Sequence, residues 1–159
     1  MSQLQIYFLR LLLFLFLQSF IFNQLEISPS IHVMIAPLYL FLLPFDRSIL
    51  SLLLIALVLG VSIDATSNTF GLHTSSLLLF AYLRPIVFRV FSPRDGYDSL
   101  KSPSIFDMGN RWFISTFSIL LFSHHLWFFI LEAFSFSETL LILQKTILSG
   151  VISFVVCVI

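Results

Sequence analysis

The sequence predicts an all-α fold: a polytopic membrane helical bundle with six transmembrane helices and both termini in the cytoplasm. Three observations lead to this fold class: an apolar composition, long apolar runs, and connections that alternately contain and lack Lys and Arg. Of the 159 residues, 58% are hydrophobic and 10% are charged, whereas a soluble domain carries about 25% charged residues. A soluble fold of this length has too little interior to bury so many Phe and Leu side chains.

The apolar runs are continuous and do not alternate with polar residues, which favours helices over a membrane barrel. Six runs can be delimited, and we expect them to form a single transmembrane domain over residues 1–159. They cover residues 4–22, 31–43, 49–63, 72–91, 112–131 and 139–159. The first, fifth and sixth approach the roughly 20 residues that a bilayer core requires. We expect the first to remain as an anchor, because no A-x-A-like cleavage site follows it.

The second and third segments are short, and the second and fourth are interrupted by proline or charged residues. The second contains Pro37, and the turn LPFDRS (43–48), which includes Pro44, ends it. A short segment interrupted by proline is expected inside the bundle or tilted, because lipid does not tolerate open backbone. In the fourth segment, Arg84 and Arg89 are expected to extend their charged groups to the membrane interface.

The positions of Lys and Arg predict the orientation. Arg47 lies between the second and third segments, and five more basic residues lie in or beside the connection between the fourth and fifth. Those five are Arg84, Arg89, Arg94, Lys101 and Arg111. The connections 23–30, 64–71 and 132–138 contain neither Lys nor Arg. Six spans with both termini inside therefore place each basic connection in the cytoplasm.

Composition and motifs also narrow the function classes. The formal net charge is zero, which argues against nucleic acid as a partner. Cys157 is the single cysteine, so neither a disulfide framework nor a CxxC metal site is expected. The sequence contains no HExxH, GxSxG or Gly-rich phosphate loop. We therefore predict a non-enzymatic membrane protein in contact with membrane lipid, with no catalytic residue, metal site or cofactor.

Ionisable residues gather in the outer half of the predicted bundle. They are Asp64, His73, His124, His125, Glu132 and Lys145. One interpretation is a metal or proton site made from His125, Glu132 and Asp64. The alternative is structural: a histidine bonds a neighbouring helix, and Lys145 pairs with Glu132 or Asp64. The structural interpretation is favoured, because adjacent histidines on a helix point about 100° apart and do not chelate together.

The stretch GVSIDATSNTFGLHT (60–74) predicts a structural corner between the third and fourth segments. Asp64 follows an apolar run, and its carboxylate can accept hydrogen bonds from the amides that start the next helix. Gly71 can take the positive φ that such a turn needs. Before the corner, Ala56 and Gly60 are four residues apart and form a small-residue face that permits close helix packing.

The same region resembles a known family. The stretches APLYLFLLPFDRS (36–48) and LGVSIDATSNTFGLHTSSLLLFAYLRPIVF (59–88) are similar to the core of MreD, the rod shape-determining membrane protein of bacteria. The resemblance covers residues 31–91, and elsewhere it is one of length and span count. The matching residues are Pro37, Pro44, Gly60, Asp64, Gly71, Ala81, Tyr82 and Leu83.

This resemblance implies a non-enzymatic subunit of the cell-wall elongation complex in the bacterial inner membrane. Its expected direct partner is the single transmembrane helix of an MreC-like protein, and through it MreB-like filaments and peptidoglycan synthases. The Ala56/Gly60 face is the candidate surface for that helix, and packing within the bundle is the alternative use of the same face. A small-molecule transport or substrate-binding subunit is the alternative, since short interrupted spans suit a site within the membrane. A transport subunit would require several polar groups facing one cavity.

Overall fold

The computed structural model describes residues 3–25, 31–98, 101–134 and 138–159. Within these ranges the chain forms helices and connecting segments, with no β-strand, so the all-α fold class is confirmed. The helices are α1 (Gln3–Phe16), α2 (Ala36–Phe41), α3 (Ile49–Ser67), α4 (Leu72–Val90), α5 (Ile105–Met108), α6 (Asn110–Ala133) and α7 (Thr139–Val158).

The first helix changes its winding near its end. After α1 the chain continues as a π-helical turn, Leu17–Ile21, and then a short 3₁₀ turn, Phe22–Gln24. The wider turn carries Gln18 and Ser19, which are both buried, whereas no residue of α1 itself is buried. Such insertions are frequently found where a helix must aim a side chain at a functional or structural partner.

Four of the described helices are long and apolar enough to cross a membrane. They are Gln3–Gln24, Ile49–Ser67, Asn110–Ala133 and Thr139–Val158. Their bounds contain or nearly match four of the six predicted segments. Six crossings and the position of the termini therefore stay predictions, although the membrane character of the chain is supported.

The longer helices pack side by side in the order α3, α4, α6 and α7. α4 packs against both α3 and α6, and α6 packs against α7. The short α2 contacts α1, α3, α4 and α6 and thus lies at the centre. Its Phe41 is fully buried and meets the rings of Phe88, Phe113 and Phe117 at centroid distances of 5.0–5.2 Å. The short helix α2 is therefore enclosed by α1, α3, α4 and α6.

The distribution of polar groups is the reverse of that in a soluble protein. Leu50, Val58 and Leu140 are more than half exposed on α3 and α7. The buried polar or charged residues, by contrast, are Gln18, Ser19, Asp64, His73, Ser76, Arg84, Thr116, His124, His125, Thr146, Ser149 and Ser153. Polar groups inside and apolar groups outside are what a bilayer requires, because polar side chains within the hydrocarbon face the bundle interior.

Two predictions about the middle segments need correction. Segment 31–43 is helical only over Ala36–Phe41, because residues 32–35 are not helical and Pro37 stands near the helix start. The expectation that it lies inside the bundle is confirmed, since Leu40 and Phe41 are completely buried. Arg84 does not extend to the interface as predicted. It is 1% exposed, because backbone carbonyl groups at the end of segment 31–43 hold its guanidinium inside the bundle.

Candidate functional site

The corner between α3 and α4 is built around Asp64, which lies in the last turns of α3 rather than after it. Its Oδ1 accepts the His73 amide at 3.0 Å, and its Oδ2 accepts the Thr74 amide at 2.9 Å. The hydroxyls of Thr69 and Thr74 donate to the same two oxygens. The predicted role of Asp64, acceptance of amides at the start of the next helix, is confirmed.

The backbone turns sharply between the two helices. Asn68 ends α3 at φ 54°, in the left-handed region, where Asn is tolerated as a helix cap. Gly71 follows at φ 92° and precedes α4, so its predicted positive φ is confirmed. Phe70 also has a positive φ, 42°, and its side chain is fully exposed. The corner thus has Phe70, with its strained backbone, on the outside, and the hydrogen-bonded carboxylate of Asp64 on the inside.

Gly60 allows α3 and α4 to approach closely. A Cβ atom on Gly60 would lie 2.5 Å from the Cα of Thr74, and Ala56 on the same face is completely buried. Small residues permit this kind of backbone contact between membrane helices. Of the two uses expected for this face, a partner helix or packing within the bundle, the structure shows the second, because α4 lies against Gly60.

Gly60→Ala is expected to destabilise the bundle by about 1–3 kcal/mol, because the added methyl group meets backbone that cannot rotate away. The comparison variant is Gly150→Ala in α7, whose added Cβ would lie nearest to a side chain, the ring of Phe122 at 2.7 Å, and not to backbone. Both changes bring the same gain in helix propensity. Thermal melting in mild detergent should show a larger loss for Gly60→Ala. Equal melting temperatures would show that α3 and α4 are not packed this closely.

His73 is drawn into the bundle from the corner. Its side chain is buried, and its ring lies 4.9 Å from that of Phe128 on α6. Since α6 is also the helix that carries His124 and His125, the ring of His73 joins α4 to that helix. We find a packing role for this residue, in addition to the amide that it gives to Asp64.

The non-helical part of segment 31–43 obtains its hydrogen bonds from side chains. Gln18 Oε1 accepts the amides of Ile35 and Ala36 at 2.7 and 3.2 Å, and its Nε2 donates to the Val33 carbonyl at 3.0 Å. Irregular backbone is tolerated within a membrane only where protein groups satisfy it. One fully buried glutamine therefore binds three main-chain groups of this segment.

The last helix supports the same segment from its other side. Ser149 Oγ accepts the His32 amide at 3.1 Å, and Ser153 Oγ accepts the Met34 amide at 2.9 Å. Ser153 also lies 3.0 Å from His125 Nε2, while His125 Nδ1 is 2.8 Å from the Leu121 carbonyl. Because a carbonyl only accepts, Nδ1 carries a proton and donates it to Leu121, and in a neutral ring Nε2 then accepts from Ser153. The predicted bond from a histidine to a neighbouring helix is confirmed.

Arg84 fixes the opposite end of the segment. Its Nε and Nη2 donate to the Phe41 carbonyl at 3.3 and 3.1 Å. Nη2 also donates to the carbonyl groups of Leu43 and Pro44. The Phe41 carbonyl is one of those that a helix leaves without an intrahelical partner at its C-terminus, and Leu43 and Pro44 lie in the turn that follows α2. Pro37 lies in the first turn of α2, where its missing amide costs no hydrogen bond. Pro37 and Pro44 thus stand at the two ends of the α2 region, and Arg84 binds the carbonyl groups at its C-terminal end.

Glu132 and Lys145 form the predicted ion pair between α6 and α7. Lys145 Nζ lies 2.8 Å from Glu132 Oε2, and His32 Nε2 lies 3.7 Å from the other carboxylate oxygen. Of the three residues considered for a metal or proton site, His125 and Asp64 direct their polar atoms to the partners described above. Among the described residues, no group of three His, Cys, Asp or Glu side chains is placed to hold a metal ion.

Sequence reasoning missed Gln18, and it did not predict the surroundings of Arg84 and His124. Gln18 and Arg84 stand within apolar stretches, which is a recognisable signal, but their partners are distant backbone groups. His124 is also buried, and neither of its ring nitrogens has a hydrogen-bond partner within the described part of the chain. Ser149 and Ser153 lie four residues apart on α7, and both of their hydroxyls bind main chain.

The two ends of the molecule therefore differ in chemistry. One end joins the Asp64 corner, the Glu132–Lys145 pair and His32, while the other joins Arg84 to the carbonyls that follow α2. The segment 31–43 connects them through the bundle interior.

No protein-family model, no curated protein and no solved structure matches this chain.

Proposed function

We propose that this chain is a non-enzymatic integral membrane subunit of the bacterial cell-wall elongation complex, resident in the inner membrane. It binds the transmembrane helix of an MreC-like protein, and through that partner it influences MreB-like filaments and peptidoglycan synthases. The observation that carries the proposal is the coherence of the region that resembles MreD. Asp64, Gly71 and Gly60 together make one corner, and Pro37 and Pro44 delimit the segment that Arg84 secures.

A six-span topology belongs to this proposal. Segment 31–43 has only 13 residues, but its first part rises roughly 3.3 Å per residue where it is extended, against roughly 1.5 Å in α2. The whole segment then reaches roughly 30 Å, the thickness of a bilayer core. α4 has 19 residues and reaches a similar length. Its interior holds Arg84, which backbone carbonyls satisfy, and this favours a buried crossing.

Cysteine labelling tests the proposed topology. Arg94→Cys and Phe134→Cys place exposed thiols in the two kinds of connection, in a Cys157→Ser background. A membrane-impermeant thiol reagent, applied to intact cells with a permeabilised outer membrane, should label position 134 and not position 94. Labelling after lysis is the control for reactivity at position 94. Labelling of position 94 on intact cells would contradict an orientation with the basic connections inside.

The surface offered to the partner must differ from the Ala56/Gly60 face. A groove of about 390 Å³ lies beside the corner and is lined by Val61, Ala65, Phe70 and Gly71 among others. It combines an exposed aromatic side chain with a small residue, and it is continuous with the apolar outer face of α3. Lipid is as apolar as leucine, so helix association in a bilayer depends on close fit. A groove supplies such a fit.

Co-purification tests the proposed partner. The tagged chain, extracted from its own bacterium in mild detergent, should retain a single-span membrane protein with a coiled-coil domain. Ala65→Trp fills the groove and should reduce that recovery several-fold at an unchanged level of the chain. Val155→Trp, on the exposed face of α7, is the matched control and should leave recovery unchanged. Failure of the unaltered chain to retain any such partner would contradict the proposal.

The discontinuous segment favours a second candidate, a substrate-binding subunit of a small-molecule transporter. Broken helices line the binding sites of many transporters. In this chain, however, Gln18, Ser149 and Ser153 direct their polar atoms to the segment's own main chain, which leaves those atoms unavailable to a solute. Recovery of an ATPase module, in place of the single-span protein, in the same co-purification would favour the transporter.

A further inference from the structure

We propose that a cavity at the arginine-rich end of the bundle binds a phosphate group, carried either by a membrane lipid or by a soluble phosphate compound. The cavity has a volume of about 260 Å³ and lies between the start of α3, the end of α4 and the connection that follows. This inference is independent of the partner proposed above, because it concerns a different end of the molecule.

Three arginines from two parts of the chain line this cavity. Arg47 comes from the turn before α3, and Arg84 and Arg89 come from α4. No Asp or Glu is among the lining residues, although Ser92 and Tyr97 contribute hydroxyl groups. Guanidinium groups present several N–H donors in a planar fork that matches the oxygen geometry of phosphate. The cavity therefore offers an anion concentrated positive charge without a competing carboxylate.

The buried charge of Arg84 gives the cavity a need for an anion. Arg84 is 1% exposed, and its hydrogen bonds go to neutral carbonyl groups. Both ion pairs within the described ranges involve Glu132, at the other end of the bundle. A buried charge without a countercharge is costly. A bound phosphate would compensate this charge, because the hydrogen bonds of Arg84 go to neutral groups alone.

The position of the cavity fits a lipid headgroup as well as a soluble phosphate. Its apolar lining includes Leu52 and Phe88, and Arg84 stacks over the Phe88 ring at 4.5 Å. Trp112 lies 5.1 Å from Phe88 and donates to the Phe91 carbonyl. Aromatic residues of this kind are typical of the membrane–water interface, where phospholipid phosphates lie. The cavity could equally admit a phosphate from the aqueous side, so the experiment must separate the two.

The lipid source is tested with the whole chain in nanodiscs of equal parts phosphatidylglycerol and phosphatidylcholine. Native mass spectrometry then counts the phosphatidylglycerol retained by the released protein. The double variant Arg47→Gln/Arg89→Gln removes two exposed arginines of the cavity and leaves Arg84 in place. The matched control, Arg94→Gln/Arg111→Gln, removes two exposed arginines of the same end that do not line the cavity.

If a lipid is the ligand, the cavity variant should retain about tenfold less phosphatidylglycerol, because charge-assisted hydrogen bonds are lost, and the control should match the unaltered chain. The soluble source is tested in detergent with inorganic phosphate against chloride at equal ionic strength. A rise in melting temperature that the cavity variant loses and the control keeps would identify a soluble phosphate. The proposal is overturned if neither assay separates the cavity variant from the control, since the arginines would then act only as general surface charge.

Discussion

Asp64→Leu is expected to lower the stability of the bundle by about 3 kcal/mol, because it leaves the amides of His73 and Thr74 without acceptors at a nearly dry corner. Asp64 is 8% exposed, so water cannot readily replace the carboxylate. Thr69 also loses its partner, and the αL turn at Asn68 and Gly71 loses the side chain that spans it. The expected readouts are a lower melting temperature and a reduced amount of protein in the membrane.

Asp64→Asn separates hydrogen bonding from charge. The two oxygens of Asp64 each accept one backbone amide, and an asparagine has only one oxygen, so one amide must face an NH₂ group. Hydroxyls can rotate to accept from that group, but an amide cannot. Asn should therefore give an intermediate loss of stability. Asp46→Leu, at an exposed position, is the control and should melt like the unaltered chain. Full stability of Asp64→Leu would remove the corner from this account.

Gln18→Leu is expected to cost about 4 kcal/mol, because three buried main-chain groups lose their partner at once. They are the amides of Ile35 and Ala36 and the carbonyl of Val33. Leucine is similar in size to glutamine, so the loss would reflect hydrogen bonds and not a cavity. The segment 31–43 would then loosen from the bundle interior.

Gln24→Leu is the matched control for this variant, because Gln24 is exposed in the turn that follows. The pair should differ strongly in melting temperature in detergent and in protease sensitivity near residue 35. If Gln18→Leu melts at the same temperature as Gln24→Leu, the non-helical segment must draw its stability from other contacts.

Local chemistry made part of this structure predictable. Asp64 and Gly71 were identified correctly, because a helix start requires acceptors for its amides and a tight turn requires a positive φ. Lys145 and Glu132 were expected to pair, because an isolated charge beside apolar helices is costly. In each instance the partner lies on the same or an adjoining helix, so spacing along the chain carries the information.

The rest depended on distant contacts that spacing does not encode. Pro37 indicates an interruption in segment 31–43, but nothing in the segment shows which groups bind the main chain of residues 32–35. The conformation of these residues depends on Gln18, Ser149 and Ser153, which lie up to 119 residues away. Likewise, Arg84 looked like an interface residue until the carbonyls after α2 supplied its hydrogen bonds. The Ala56/Gly60 face was recognised as a packing surface, but its sequence could not show which helix covers it.

Depletion of the chain in its own bacterium tests the proposed function most directly. New peptidoglycan is labelled with a fluorescent D-amino acid, and cell width is measured as the protein disappears. We predict that label is lost from the side wall and that cells widen and round. Re-expression of the unaltered chain should restore both properties, whereas Asp64→Leu should not. Normal width and an unchanged labelling pattern after the chain is gone would contradict a role in cell-wall elongation.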